Sequence, residues 1–313
     1  MTGVAKTCPD WLGFRTQAQP TAVLEAMRGL FGPIGEHVTL NPLERGKDGF
    51  RSACEVRLAN EFVWGRMDFG GESQRGWVRV NLTGVGCEHV TDWDALADVE
   101  ALPGAELRRL DIALTTWRNE VTHQRVVDAH TDGLFRCSGA GGRPPALQQV
   151  TSSDPLAGRT CYVGKRESDK FFRGYEKGFE LRAKMGRAGE SIVAIDGFPL
   201  EDIYRCEVEL KSKATLVPWE AIERRDQYFA GSYPFLGQLL PGVESDILMR
   251  RPERGPQMSL QVALANCRIQ FGATLFTACA AYGGDILRVW DAVVGKCHNA
   301  DLLAAGVMHV EHE

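Results

Sequence analysis

No run of eighteen consecutive apolar residues occurs in the sequence, so no transmembrane helix is expected. The opening residues, MTGVAKTCPDWLGF, lack the apolar region of a signal peptide, and secretion is not expected either. There is no C-x-x-C pair. The nine cysteines (8, 54, 87, 137, 161, 206, 267, 279, 297) are odd in number and scattered, which argues against a zinc site or disulfide framework and for reduced thiols in a cytosolic protein. No G-x-x-x-x-G-K-[S/T] loop is present to bind a nucleoside triphosphate, and no G-x-S-x-G elbow to make a serine hydrolase. The seven histidines form no His-hydrophobic-His triplet. Positive charge is in slight deficit, 36 Lys and Arg against 41 Asp and Glu, which excludes indiscriminate coating of nucleic acid but leaves room for a focused basic groove. With 44% hydrophobic and 25% charged residues over 313 positions, the chain can bury a full core.

What is present concentrates between residues 159 and 177, R-T-C-Y-V-G-K-R-E-S-D-K-F-F-R-G-Y-E-K. Residues 160–163 and 171–177 read as two strands flanking a polar turn at 164–170. Alternation along an extended segment puts Arg173, Tyr175 and Lys177 on one face, with a phenol between two cations. Nine Lys and Arg face four acids between residues 159 and 187, a local positive excess in an acidic chain and a footprint suited to a polyanion. A surface strand carrying ordinary basic residues is the plainer reading. The chemical one is a tyrosine that attacks a phosphodiester, since a phenol of pKa about 10 needs neighbouring positive charge to ionise and the attacked phosphate needs the same charge to bind.

Around this stretch the sequence predicts a strand at 10–16, a helix over 21–31 closed by Gly32 and Pro33, and strands at 53–58, 62–69 and 77–82 joined by short turns, hence antiparallel. A short helix (93–102) and a strand (107–115) follow, with Asp111 opposite the apolar face of Leu110, Ile112 and Leu114. Residues 204–211 alternate most cleanly: Tyr204, Cys206, Val208 and Leu210 on one side, Arg205, Glu207, Glu209 and Lys211 on the other. A helix through 223 and an Ala-, Leu- and Val-rich helical tail (260–282, 286–294) complete the chain. The fold class expected is α+β, an antiparallel β-sheet core in two similar sheet halves (10–103 and 104–240) within a domain 1–240, followed by a helical C-terminal region, 241–313.

Asp111, Glu207 and Glu209 offer hard oxygen ligands on neighbouring strands, the type that holds Mg2+ or Mn2+ in phosphodiester chemistry. The same residues also read as a solvated salt-bridge face, which contributes little.

The motifs R-L-D-I-A-L (109–114), G-R-T-C-Y-V-G-K-R-E-S-D-K-F-F-R-G-Y-E-K-G (158–178), R-C-E-V-E-L-K (205–211) and Y-F-A-G-S-Y-P (228–234), in this order and spacing, resemble the replication initiation factors of rolling-circle plasmids and filamentous phages, the Rep_trans family. The resemblance spans roughly residues 10–240 and is most specific in its central motif. It implies an endonuclease and strand transferase that nicks and rejoins one strand at an origin through a 5′-phosphotyrosine intermediate. Tyr175 would be the nucleophile with Tyr162 as alternative, Arg173 and Lys177 would lie beside the phosphate, and Asp111, Glu207 and Glu209 would hold the metal. Arg159, Lys165, Arg166 and Lys170 would bind DNA. Thr115 stands where family members often carry a second acid, so either that position is peripheral to the metal or metal affinity is weaker here. Origin DNA, a host helicase and polymerase and a homodimer are the partners implied, in the bacterial cytoplasm and with the gene on a phage, prophage or plasmid. A conjugative relaxase and a non-catalytic DNA-binding protein are the alternatives.

Overall fold

One strand pattern is used twice. The computed structural model describes residues 6–58, 62–136, 145–154, 156–185, 192–213, 216–244 and 260–299. The first half runs β1 (Cys8–Thr16), α1 (Pro20–Arg28), a 3-10 turn (Gly29–His37), β2 (Val38–Leu43), β3 (Ser52–Leu58), β4 (Phe62–Phe69) and β5 (Val78–Leu82). After short helices α2 (Gly84–Glu88) and α3 (Leu96–Glu100), the second half runs β6 (Glu106–Thr116), α4 (His123–Thr131), β7 (Leu147–Val150), β8 (Thr160–Val163) and β9 (Lys170–Tyr175). Helix α5 (Lys177–Met185) and a small hairpin, β10 (Ala194–Ile195) with β11 (Phe198–Pro199), intervene before β12 (Tyr204–Lys211). The strands join in one antiparallel sheet, ten-stranded among the described residues, of order β2-β3-β4-β5-β1-β6-β12-β9-β8-β7. Read outward from the centre, each half therefore repeats first strand, last strand, then the three between in reverse.

The α+β architecture expected from the sequence is the one observed. Alternation separates a dry face from a polar one. Leu12, Phe14, Val80, Leu110, Ile112, Val208 and Phe172 are fully buried and share a core with Val23 and Met27 of α1 and Val126 of α4. Helices α6 (Glu220–Glu223), α7 (Arg225–Ser232) and α8 (Pro234–Leu239) add Phe229, Phe235 and Leu236. Phe135 fixes this layer, its ring 4.9 Å from Phe172, 5.2 Å from Tyr233 and 5.3 Å from Phe235. Each such side chain contributes about 1.5–3 kcal/mol by leaving water.

The chain divides into two compact units, Met1–Arg251 and Pro252–Glu313. The second contains α9 (Leu260–Ala281) and α10 (Ile286–Val293), the latter capped by Asp285, which accepts from the Arg288 amide at 3.1 Å.

Several elements depart from the sequence expectation. Strands β2 and β7 were not foreseen. They are the outermost strands, and β2 carries Pro42 and β7 two glutamines, residues suited to an edge but not to an apolar alternation. The strand expected to run to residue 177 ends at Tyr175, and Lys177 opens α5 instead. Gly178 permits this close docking, because a Cβ there would lie 2.2 Å from the Leu200 carbonyl oxygen. Of residues 138–145, rich in Gly and Pro, only Pro145 is among the described residues.

Candidate active site

Three neighbouring strands, β6, β12 and β9, bring the predicted polar residues onto one face. Their register sets Arg205 opposite Tyr175, Glu207 opposite Arg173, and Glu209 opposite both Phe171 and Asp111. Flanking structure buries this face: Asp111, Arg205, Glu207 and Glu209 all keep less than a tenth of their surface. Charges so placed need partners at hydrogen-bond distance, and they have them.

Tyr175 Oη donates to Glu207 Oε1 at 2.6 Å. The other carboxylate oxygen, Oε2, accepts from Arg173 through Nε at 2.8 Å and through Nη2. Arg205 Nε lies 3.5 Å from Glu207 Oε1, an ion pair without a hydrogen bond, and its Nη2 donates to Asp10 Oδ1 at 3.1 Å. Lys177 Nζ stands 3.4 Å from Tyr175 Oη and donates to both oxygens of Glu180 at 3.0 Å. The phenol ring sits between the two cations named from the sequence, 5.3 Å from the Arg173 guanidinium carbon and 5.5 Å from Lys177 Nζ.

The electrostatic outcome differs from the simple expectation that cations ionise the phenol. Burial, and then the charge and hydrogen bond of Glu207, raise the Tyr175 pKa well above the ordinary value, outweighing Arg205. At neutral pH the group is a neutral phenol whose proton already points at a carboxylate. A nucleophilic role for this oxygen would require transfer of that proton to Glu207 during attack, not prior ionisation.

Asp10 belongs to the site and was missing from the sequence reading. The β1–β6 register shifts between Pro9 and Trp11, so Asp10 is the extra residue of a β-bulge, freed from strict alternation. Burial and the nearby Glu207 push its carboxyl up to about 7, against Arg205 and Lys177. No periodicity marks such a residue in advance.

Asp111, Glu207 and Glu209 line a chamber of about 40 Å3 with Arg109, Arg166, Phe171 and Arg173, room for about one water-sized body. Arg109 donates to both oxygens of Asp111 at 2.8 and 2.6 Å and lies 3.2 Å from Glu209, while Lys211 lies 2.8 Å from Glu209. Burial pushes the Asp111 carboxyl up to about 6, Glu209 and Glu207 adding to the effect and Arg109 opposing it. Among the described residues no group of three His, Cys, Asp or Glu stands in metal-binding arrangement. The three carboxylates are hard oxygen donors of the kind a divalent cation takes, but Arg109, Arg173 and Lys211 already hold them. Arg109 would have to yield to such an ion.

The remaining predicted residues separate. Arg159 lines the main cleft, an open space of about 1020 Å3 that also includes Tyr162, Arg166 and Tyr175, and pairs with Glu176 at 2.6 Å. Lys165 lies exposed in the β8–β9 turn, and Arg166 reaches over the Phe171 ring at 5.6 Å. Tyr162 stacks on Phe171, ring centres 5.6 Å apart, and does not share the Glu207 hydrogen bond. Lys170, opposite Leu210 in the register, turns to the other face, where Nζ donates to the Ser232 carbonyl and lies 4.2 Å from the Tyr233 ring centre.

Glu180, which fixes Lys177, provides a pH handle. Burial alone would raise its pKa, but Lys184 and Lys177 pull it down to about 2. A depressed carboxyl pKa stabilises the fold above its unfolded value near 4.5, and that stability is lost as pH falls through about 2. With the side chain a third exposed, Glu180→Gln should lower stability at pH 7 by no more than about 1 kcal/mol. Thermal melts of the two proteins should converge between pH 4.5 and 2; a gap independent of pH would mean that the carboxylate charge is not what holds Lys177.

Residues 105–243 match the family model described as replication initiation factor, Rep_trans. A search of curated proteins finds no match. Among solved structures the chain is similar to the rolling circle replication initiator protein from Geobacillus stearothermophilus, at 21% identity and a TM-score of 0.46, over 66% of this chain and 74% of that one. The family segment runs from β6 to the end of α8 and so carries Asp111, Arg173, Tyr175, Lys177 and Glu207, leaving Asp10 outside. Over residues 105–243, the chain is thus similar to the replication initiation factor family.

Proposed function

We propose that the protein initiates rolling-circle DNA replication by nicking and rejoining one strand at an origin, with Tyr175 as the nucleophile. The observation that carries this reading is the 2.6 Å hydrogen bond from Tyr175 Oη to Glu207 Oε1, set among Arg173, Lys177 and Arg205. Tyr175 Oη attacks the scissile phosphorus and its proton passes to Glu207. The bond from phosphorus to the 3′ oxygen breaks, and that oxygen leaves as a hydroxyl with a proton from water. A 5′-phosphotyrosine and a free 3′-hydroxyl result, and reversal of the step by a 3′-hydroxyl rejoins the strand. The phosphotyrosine retains the energy of the broken ester, in keeping with a sequence that has no nucleotide-binding loop. Arg173 and Lys177 bind the non-bridging oxygens and stabilise their growing charge.

Asp111, Glu207 and Glu209 would hold Mg2+ or Mn2+, which supplies Lewis-acid polarisation of the phosphate. Arg159 and Arg166 on the cleft wall, with exposed Lys165, would follow the DNA backbone. The 3′-hydroxyl would serve a host polymerase with a host helicase in the bacterial cytoplasm, and a second subunit's tyrosine can serve the closing step.

The test is incubation with Mg2+ or Mn2+ and single-stranded DNA covering the element's own origin, followed by a denaturing gel and peptide mapping. A DNA adduct on Tyr175 is expected. An adduct on Tyr162 would reassign the nucleophile, cleavage without any adduct would assign attack to water, and binding without cleavage would make the protein a DNA-binding module.

A further inference from the structure

We propose that the polar sheet face of the N-terminal half is a stacking track for single-stranded DNA, built from the pairs Trp11/Arg109, Trp77/Arg15 and Phe50/Arg79. This rests on the reading of Tyr175 as a DNA-attacking residue, and apart from Arg109 its residues lie in the half of the sheet outside the segment matching the family.

Along β1, Trp11, Gly13 and Arg15 face away from the buried Leu12, Phe14 and Thr16. The Trp11 indole extends toward β5, its Nε1 donating to Asn81 Oδ1 at 3.3 Å. It passes over Gly13, where a Cβ would lie 2.8 Å from that same Asn81 oxygen and 3.6 Å from Trp11 Nε1. The Arg109 guanidinium carbon lies 4.5 Å from the Trp11 ring centre, beside the acidic chamber. Farther along, Arg15 lies 4.1 Å from the Trp77 ring centre and Arg79 4.9 Å from that of Phe50, and Arg15 and Arg79 are direct cross-strand partners. All three aromatic residues are partly exposed on a face otherwise made of ion pairs. From Tyr175 on β9 to Trp11 on β1 is three strand spacings, about 14 Å at about 4.8 Å each, and the main cleft contains both residues.

The ion pairs decide what such a surface can bind. Arg109 is held by Asp111, Arg15 by Glu106 at 2.7 Å, and Arg79 by Asp48 at 2.7 Å and Asp68 at 2.9 Å. Each guanidinium is thereby fixed in orientation and largely neutralised. Such a face gains little by releasing counterions from phosphates, but planar guanidinium and aromatic groups stack on unpaired bases. Duplex DNA hides those faces, so single strands are the ligand the chemistry selects.

The experiment measures binding of fluorescent single-stranded oligonucleotides by the full chain carrying Tyr175→Phe, which prevents cleavage, with and without Trp11→Leu, Trp77→Leu, Trp11→Phe or Trp77→Phe. Each leucine change should weaken binding by about fivefold to a hundredfold, each phenylalanine change should restore most of it, and the slope of affinity against salt should stay as it was. Unchanged affinity in the leucine variants, equal loss in the leucine and phenylalanine variants, a salt slope that falls with the tryptophan, or tighter binding to duplex of the same sequence would each overturn the track. If the track fails while wild-type protein still forms the Tyr175 adduct, nicking stands alone. Stacking-dependent binding by a protein that forms no adduct on wild-type Tyr175 would instead retain the DNA surface and remove the chemistry.

Discussion

Tyr175→Phe should abolish formation of the covalent DNA adduct, with strand cleavage falling by roughly 10^4-fold or more, the scale of loss when a covalent nucleophile is removed. The substitution deletes one oxygen. Arg173 keeps its contacts with Glu207 and Lys177 keeps Glu180, so the groups proposed to bind the phosphate stay in position. Affinity for origin DNA should accordingly change by less than about threefold. The lost hydrogen bond ends on a buried carboxylate, and about 1.5–3 kcal/mol of folding stability is at stake. Gel analysis, binding titration and a thermal melt on the one variant separate these effects. Retention of cleavage would transfer the chemistry to Tyr162 or to water.

Glu207→Gln is the second large effect. The amide preserves shape and can still accept from the phenol, yet it cannot take up the proton. Cleavage should drop by about 10^2- to 10^4-fold, the usual contribution of a positioned base. The pH profile carries the diagnosis: with its anionic neighbour gone, the Tyr175 phenol loses one of the causes that raise its pKa, and residual activity should climb steeply toward alkaline pH. If Glu207 acts only as a metal ligand, excess Mg2+ or Mn2+ should restore the rate and the alkaline climb should be absent. Arg173, about a third exposed, and buried Arg205, which keeps Asp10, would each lose a charged partner, so a stability loss of about 1.5–3 kcal/mol should accompany the change.

Much of this site was legible because strands write their two faces into alternate residues. The pattern of residues 204–211 separated Cys206, Val208 and Leu210 from Arg205, Glu207 and Glu209, and β12 divides them in the same way. The placing of Tyr175, Arg173 and Asp111 followed from the same periodicity, and the central motif carried the resemblance to the family whose model matches residues 105–243. Periodicity is silent, however, about anything that interrupts it. Asp10 arrives through a bulge, and Lys177 reaches the phenol from a helix that starts two residues after the tyrosine. The direction of the Tyr175 pKa was likewise unreadable, because charges near in sequence are visible in advance and burial is not. Lys170 shows the converse limit: counted as basic in a basic stretch, it faces the wrong side because its partner in the register is Leu210. Helix α4 has its signal in Thr122, which caps it by accepting from the Arg125 amide at 3.1 Å, but nine residues with few apolar positions stand out weakly.

The seam between the two sheet halves bears on how the protein can be cut. The longest strand, β6, has β12 on one side and β1 on the other. A fragment beginning near residue 105 would contain the whole segment that matches the family, yet one flank of β6 would be a bare ladder of amides and carbonyls running its full length, open to any other strand in solution. It would also lose Asp10, and with it the carboxylate that holds Arg205 beside Glu207. The segment that matches the family is thus one half of a shared sheet, and the N-terminal half is the partner that covers its open flank and completes its charge balance.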